Sequence, residues 1–187
     1  MTTQLKVLYW NIHGIHSTTI GEKQKDPKFQ EVVSHHDIIC ISELHTDIDI
    51  SIQGFTVLKQ KFRKKNHKGP KIGGGIAVYA RQNMAKNFEL IPTSNADSIW
   101  VKTVPTTGET IQLGFFYCSP EKVNSKVMET VNGEVQKLAS EVNTYILGDF
   151  NARTKTECEN LIYDKSDEDM GVPSGMLRAR HASPPQL

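Results

Sequence analysis

The stretch Tyr145–Arg153, YILGDFNAR, decides how this chain is read. Tyr145, Ile146 and Leu147 carry the apolar character of a buried strand, and Gly148 stops it. Asp149 and Asn151 then stand just past its carboxyl end, where packing calls for neither. In open α/β sheets, chemistry gathers at the carboxyl ends of strands. A carboxylate there can hold a metal or take a proton. An amide two residues on points to the same side of an extended chain and can donate to an oxyanion. The same residues also suit an Asp-Asn turn after a strand, so this run leaves site and turn open.

Two more segments share the construction. LKVLYWNIHG (Leu5–Gly14) alternates and ends near Asn11, and DIICISELHT (Asp37–Thr46) is an apolar strand ending near Glu43. Three such strands can converge on one rim with Asn11, Glu43, Asp149 and Asn151, all bearing oxygen. Hard oxygen donors with one or two carboxylates suit Mg²⁺ or Mn²⁺, which keep waters and borrow ligands from a phosphate. The Cys/His pairs that zinc prefers are missing from the set. Metal-assisted attack of water on a phosphate ester is the chemistry this favours.

WNIHG, SELHT, GGGIAVYAR, FFYCSP and LGDFNAR, in that order, resemble the endonuclease/exonuclease/phosphatase superfamily, which includes pancreatic deoxyribonuclease, apurinic/apyrimidinic endonucleases and inositol-polyphosphate 5-phosphatases. The nearest likeness is to the endonuclease domains of LINE-type (non-LTR) retrotransposons, from about Gln4 to Lys165. The resemblance implies an α/β fold of two mixed β-sheets packed face to face and flanked by helices, a deoxyribonuclease-like sandwich. It implies Mg²⁺ or Mn²⁺ as cofactor, held by Glu43, Asp149 and Asn11. Asn11 would orient the site, Tyr117 would meet the scissile phosphate, and Asp149 would position or deprotonate water. Asn151 would stabilise charge on phosphate oxygens. DNA is the implied partner, with a reverse transcriptase in a longer parent protein. Taken without the resemblance, Tyr117 reads as a rim tyrosine with its hydroxyl in water.

The 187 residues suffice for one domain with a sizeable core. No apolar stretch approaches the 18 residues of a membrane span. MTTQ leads directly into a strand, which argues against a signal peptide. Cys40, Cys118 and Cys158 are widely spaced and odd in number, which fits a reducing, intracellular setting, and Cys40 reads as a small core residue. The net charge of +1 hides an asymmetry. Lys59–Lys71, KQKFRKKNHKGPK, holds seven Lys/Arg and no acid, while the rest carries 15 basic against 21 acidic residues. The segment lies between two strand candidates. It reads either as a hairpin arm in which Lys61, Arg63, Lys64, Lys65 and Lys68 meet nucleic-acid phosphates, and which could address the protein to the nucleus, or as a solvated loop.

The pattern predicts strands at Leu5–Trp10, Ile38–Ser42, Phe55–Leu58, Gly74–Ala80, Ser98–Val104, Thr110–Tyr117 and Thr144–Leu147. A helix is expected from Asp26 to about His36, with Pro27 in its first turn, and another from Ser119 or Pro120 to Ser140 with Val123, Val127, Val131, Val135 and Leu138 on one side. Gly133 weakens the latter by about 1 kcal/mol against Ala. Asp47–Ser51 is ambiguous. Thr106, Thr107 and Gly108 suit a hairpin turn. Gly73–Gly75 lacks the Lys and helix of a P-loop and suits close backbone approach. His13 and His45 read as exposed loop residues near the site, with His13 where apurinic/apyrimidinic endonucleases carry Asp.

Relatives in the superfamily complete the site with an Asp-His pair on a late strand. Here 36 residues follow Asn151, with one histidine, His181, and no Asp beside it. Tyr117 is followed by Cys-Ser-Pro where many relatives have Pro-Asn. Residues 1–170 are therefore expected to form an incomplete domain with its last strands missing, residues 171–187 a disordered tail, and catalysis to be impaired. Three functions stay open: a nuclease, an inactive nucleic-acid-binding fragment, and a phosphoesterase for a small phosphate such as an inositol phosphate.

Overall fold

In the computed structural model, residues 4–19, 21–63, 73–103, 109–118, 125–139 and 142–151 are described. The chain runs through β1 (Val7–Asn11), β2 (His16–Ser17), β3 (Gly21–Glu22), α1 (Pro27–Ser34), β4 (Ile38–Ser42), β5 (Phe55–Lys61), β6 (Ile76–Arg81), β7 (Phe88–Ile91), β8 (Ser98–Thr103), β9 (Ile111–Tyr117), α2 (Ser125–Leu138) and β10 (Asn143–Asp149). Asp26 caps α1, its carboxylate accepting from the backbone of Lys28 and Phe29, and Pro27 occupies the first turn. β4 is IICIS with all five residues buried, the composition of a strand covered on both faces.

Two four-stranded sheets result, ordered β1-β4-β6-β5 and β10-β9-β8-β7. Each has one parallel pair, β1 with β4 and β10 with β9, and is otherwise antiparallel. The period-two alternation of the strands divides the core. Ile38, Cys40, Ile76 and Val78 of the first sheet meet Ile99, Val101, Leu113 and Phe115 of the second. On the other face of the first sheet, Ile39, Ile41 and Leu8 pack with Phe29 and Val33 of α1. On the other face of the second, Trp100 and Phe116 pack with Val131 of α2, and Val135 and Leu138 lie against them. The fold is thus an α/β sandwich of two mixed sheets packed face to face, with a helix on each outer face. Burying each large apolar side chain contributes about 1.5–3 kcal/mol.

Glu134 ties α2 down, accepting from Ser98 Oγ at 2.7 Å and from the indole of the buried Trp100 at 3.2 Å. Of the stripe expected on α2, Val131, Val135 and Leu138 face the sheet; Val123 and the Val127 side chain lie outside what is described, as do Thr106–Gly108. The ambiguous run Asp47–Ser51 is neither helix nor strand, and Ile50 turns into the first core. β7 was not anticipated. It has only four residues, FELI, and is fixed by its pairing with β8.

β10 corrects one expectation. It continues through Gly148 to Asp149, paired with Tyr117, and Tyr145 and Ile146 are 58% and 38% exposed rather than buried. Among the described residues β10 stands at the edge of its sheet, so only β9 pairs with it. The described residues up to Asn151 form one compact unit; residues 152–187, including the expected tail, lie outside the described part. Among the described residues no helix is long and apolar enough to cross a membrane.

Trp100 lies flat against Gly114 across the β8–β9 ladder, and a Cβ at Gly114 would meet the indole at 2.8–3.0 Å. Gly114→Ala is therefore expected to destabilise the domain by about 1–3 kcal/mol through overpacking. The lowered midpoint of a urea melt, with unchanged slope, checks this.

Candidate active site at the carboxyl rim of the sheets

The two parallel pairs bring four strand ends to one rim. Asn11 ends β1, Glu43 follows β4, Tyr117 ends β9 and Asp149 ends β10. Asn11 stands opposite Ser42, and Tyr117 opposite Asp149. Across the sheets, Asn11 Nδ2 donates to Asp149 Oδ2 at 2.7 Å, and Tyr117 Oη donates to Glu43 Oε1 at 2.9 Å. Each sheet thus offers one carboxylate to a polar side chain of the other. Asn11 also lies close enough to Glu43 to help lower the pKa of its carboxyl.

Glu43 is buried enough to raise its pKa, but hydrogen bonds from His13, Tyr117 and Asn11 and the nearby His45 outweigh burial and hold its carboxyl below the ordinary value of 4.5. Burial first, and then the Glu43 carboxylate, push the Tyr117 phenol up, so it stays protonated as the donor.

His13 is an exposed loop residue near the site, as expected, and adds a contact to Glu43 that the sequence did not announce. Its ring is 89% exposed, yet Nδ1 lies 2.9 Å from Glu43 Oε2, and its ring meets that of His45 edge-on at 5.8 Å. It borders the site. Asn151 differs from expectation. Its φ is +46°, so it does not continue an extended chain. Its backbone N–H donates to Asp149 Oδ1 at 3.0 Å and its amide to the Cys118 carbonyl at 2.8 Å. The GDFN run is therefore a turn and a rim element at once: the turn folds over the carboxylate and leaves it facing Asn11.

The basic segment divides. Arg63 is only 16% exposed and binds Asp97 Oδ1 through Nη2 at 2.5 Å and Nε at 3.1 Å, while its guanidinium covers the Tyr117 ring at 5.2 Å. Lys61 donates to Thr93 Oγ1 and to the carbonyls of Asn95 and Ser98. Burial lowers its pKa. Neither projects as an arm, because β5 runs through Lys61 and delivers both side chains to neighbouring acceptors. Lys64, Lys65 and Lys68 lie outside the described residues. Gly74 makes room here: its φ is +75°, and a Cβ would meet Arg63 Cδ at 2.9 Å and Tyr117 Cε1 at 3.0 Å. The close approach expected at Gly73–Gly75 is met at Gly74 and Gly75, while Gly73 has open space around it.

Backbone strain gathers at the same place. Among the described residues, the non-glycine positions with left-handed φ are His13, Glu43, His45 and Asn151, all at the rim. Such conformations cost of order 1–3 kcal/mol each and persist where surroundings impose them. The loops are pinned by Gly14 N–H to Glu43 O at 2.6 Å and His45 N–H to Gly74 O at 2.8 Å. Tyr9 was not singled out from sequence. Its hydroxyl accepts from the Asp149 N–H at 3.0 Å and donates to the Phe116 carbonyl at 2.8 Å. The available signal was a tyrosine within an alternating strand, whose polar tip needs a partner when its ring is buried.

The donor set suits a hard divalent cation: two carboxylates from different sheets with the Asn11 amide beside them. Among the described residues no three His, Cys, Asp or Glu side chains are grouped to hold an ion.

No family model matches the sequence, and no curated protein does. Solved structures match the fold. An endonuclease/exonuclease/phosphatase family protein from Leptotrichia buccalis C-1013-b is 13% identical, with a TM-score of 0.53 over 80% of this chain and 67% of that one. An endonuclease/exonuclease/phosphatase from Beutenbergia cavernae DSM 12333 is 14% identical, with a TM-score of 0.50 over 81% of this chain and 48% of that one. The chain thus spans two thirds of one and about half of the other, and the likeness is one of fold.

The lowered pKa of Glu43 fixes the sign of a pH effect. Its charge contributes stability in full above the ordinary value of 4.5, and this is lost as pH falls through the lower folded-state value. Thermal unfolding of wild type and Glu43→Gln across acid pH should show the wild-type curve falling towards that of the variant at the acid end. Parallel curves would mean that the charge contributes nothing.

Proposed function

We propose that this rim hydrolyses phosphodiester bonds of DNA with Mg²⁺ or Mn²⁺, as the endonuclease domain of a LINE-type retrotransposon or a remnant of one. The observation that carries this is the reciprocal bonding of two carboxylates across the sheets at one rim, Asp149 by Asn11 and Glu43 by Tyr117. Nothing in core packing asks for two carboxylates there. The order of the five motifs supports the same chemistry.

Glu43, Asp149 and Asn11 would hold the cation, which when bound polarises a phosphate oxygen and offsets charge in the transition state. Asp149 accepts from Asn11 Nδ2 and from the Asn151 N–H, which leaves its carboxylate set to orient a water for attack on phosphorus and to take the water's proton as the P–O bond to the leaving oxygen breaks. Asn11 keeps that carboxylate turned to the rim. Tyr117 holds Glu43 in place, and its hydroxyl meets phosphate by exchanging this bond. Asn151 has one amide hydrogen on Cys118 and a second for a phosphate oxygen.

Lys64, Lys65 and Lys68, in the basic run between β5 and β6, favour a polyanion over a small phosphate. Lys61 and Arg63 are left out of this role, since both are occupied within the fold.

Two experiments test this. In a Mg²⁺-dependent nicking assay on supercoiled plasmid, cleavage by wild type should fall by a factor of about 10²–10³ in Asp149→Ala. Cleavage unaffected by that change would place the activity elsewhere. Binding to a DNA duplex should weaken when Lys64, Lys65 and Lys68 become Ser, the log–log salt slope falling by about 0.9 for each phosphate that is no longer neutralised. An unchanged slope would make the run a solvated loop.

A further inference from the structure

The parallel register of β9 and β10 sets Gly148 opposite Phe116 and Asp149 opposite Tyr117. In such a ladder the Asp149 N–H faces the Phe116 carbonyl, and the Asp149 carbonyl takes the Cys118 N–H. The second bond is present at 2.8 Å. At the first, a hydroxyl from the opposite sheet holds both ends: Tyr9 Oη accepts from the Asp149 N–H at 3.0 Å and donates to the Phe116 carbonyl at 2.8 Å. Tyr9 lies on β1, two residues before Asn11, and its ring joins the core between the sheets.

We propose that Tyr9 is a positioning residue, whose hydroxyl is set into the last rung between β9 and β10 so that Asp149 is held out from β9 and its carboxylate reaches Asn11; the catalytic part of this rests on the function proposed above. The neighbouring geometry leaves Asp149 little freedom of its own. Gly148 already lies so close to β9 that a Cβ would meet the Phe116 carbonyl oxygen at 2.6 Å. The strand therefore hugs β9 up to Gly148, and the next residue is where a spacer decides the direction of the carboxylate. Because Tyr9 and Asn11 share one strand and one face, the residue that spaces Asp149 and the residue that receives it move as one body. Burial is the main cause that holds the Tyr9 phenol up in pKa, so the hydroxyl keeps the proton it donates to Phe116.

A purely structural hydroxyl and a spacer behave differently when it is deleted. In Tyr9→Phe the Asp149 N–H and the Phe116 carbonyl can close on each other, so no backbone group need be left without a partner. The domain should stay folded with little change in its urea midpoint. Asp149 should move toward β9, and its bond from Asn11 should weaken. In ¹⁵N–¹H spectra of the metal-free protein, the Asn11 side-chain amide and the Asp149 backbone amide should shift, while the amides of β4 stay in place. In the nicking assay kcat should fall about tenfold or more with KM nearly unchanged, as expected for a misplaced group that does not bind substrate. Spectra in which both amides keep their wild-type positions would overturn the proposal. So would a large loss of stability with kcat intact, which would make Tyr9 a structural residue. If wild type shows no Mg²⁺-dependent cleavage, the proposed function fails, while the spectra still decide whether Tyr9 places Asp149.

Discussion

Everything at the rim depends on how the ends of β1 and β10 are joined across the sandwich. The apolar core sets the sheets face to face but says little about where polar side chains at its margin point. That is decided by two groups on one strand: the Asn11 amide on the Asp149 carboxylate, and the Tyr9 hydroxyl on the Asp149 backbone. The first is made to a carboxylate and is short, as charge-assisted bonds are; the second joins two neutral groups. Tyr117 repeats the arrangement in the opposite sense, reaching from the second sheet to Glu43 beyond the end of β4. The result is a reciprocal clasp of one carboxylate per sheet.

The clasp is accompanied by strain. His13, Glu43, His45 and Asn151 take left-handed backbone that side chains disfavour, and each is held by hydrogen bonds from its neighbours. A fold under selection for stability alone has no need of four such residues in one place. The Arg63–Asp97 pair belongs to the same construction: it packs on the ring of Tyr117 and its aspartate also takes the Tyr117 N–H through its carbonyl, fixing that residue from two sides. A cation that the composition assigns to the solvent thus serves as a wall of the site.

The sequence carried the layers well because alternation and burial speak the same language. IICIS announces a strand covered on both faces, and β4 spans those five residues. Asp26-Pro27 announces a helix start, and the cap is there. That Asn11, Glu43 and Asp149 lie at one rim was legible because strand ends in α/β sheets share it, whereas Tyr117 was pointed to only by the family resemblance. What failed to show was whatever depends on tertiary partners. Tyr145 and Ile146 look apolar enough for a core, yet their exposure follows from the place of β10 in the sheet order, which no local pattern encodes. Lys61 and Arg63 look like any basic loop until Asn95, Asp97 and Ser98 arrive from more than 30 residues away. The inward turn of Asn151 rests on a positive φ that asparagine tolerates but does not declare.

The central claim is that the carboxylates of Glu43 and Asp149 form one divalent-metal site. Mn²⁺ binding followed by electron paramagnetic resonance tests it most directly, comparing wild type with folded Glu43→Gln and Asp149→Asn. The account predicts a bound ion in wild type whose affinity drops in both variants, each loss being comparable because the two groups share the ion. Binding that is equal in all three proteins, or that responds to only one of the two changes, would contradict it.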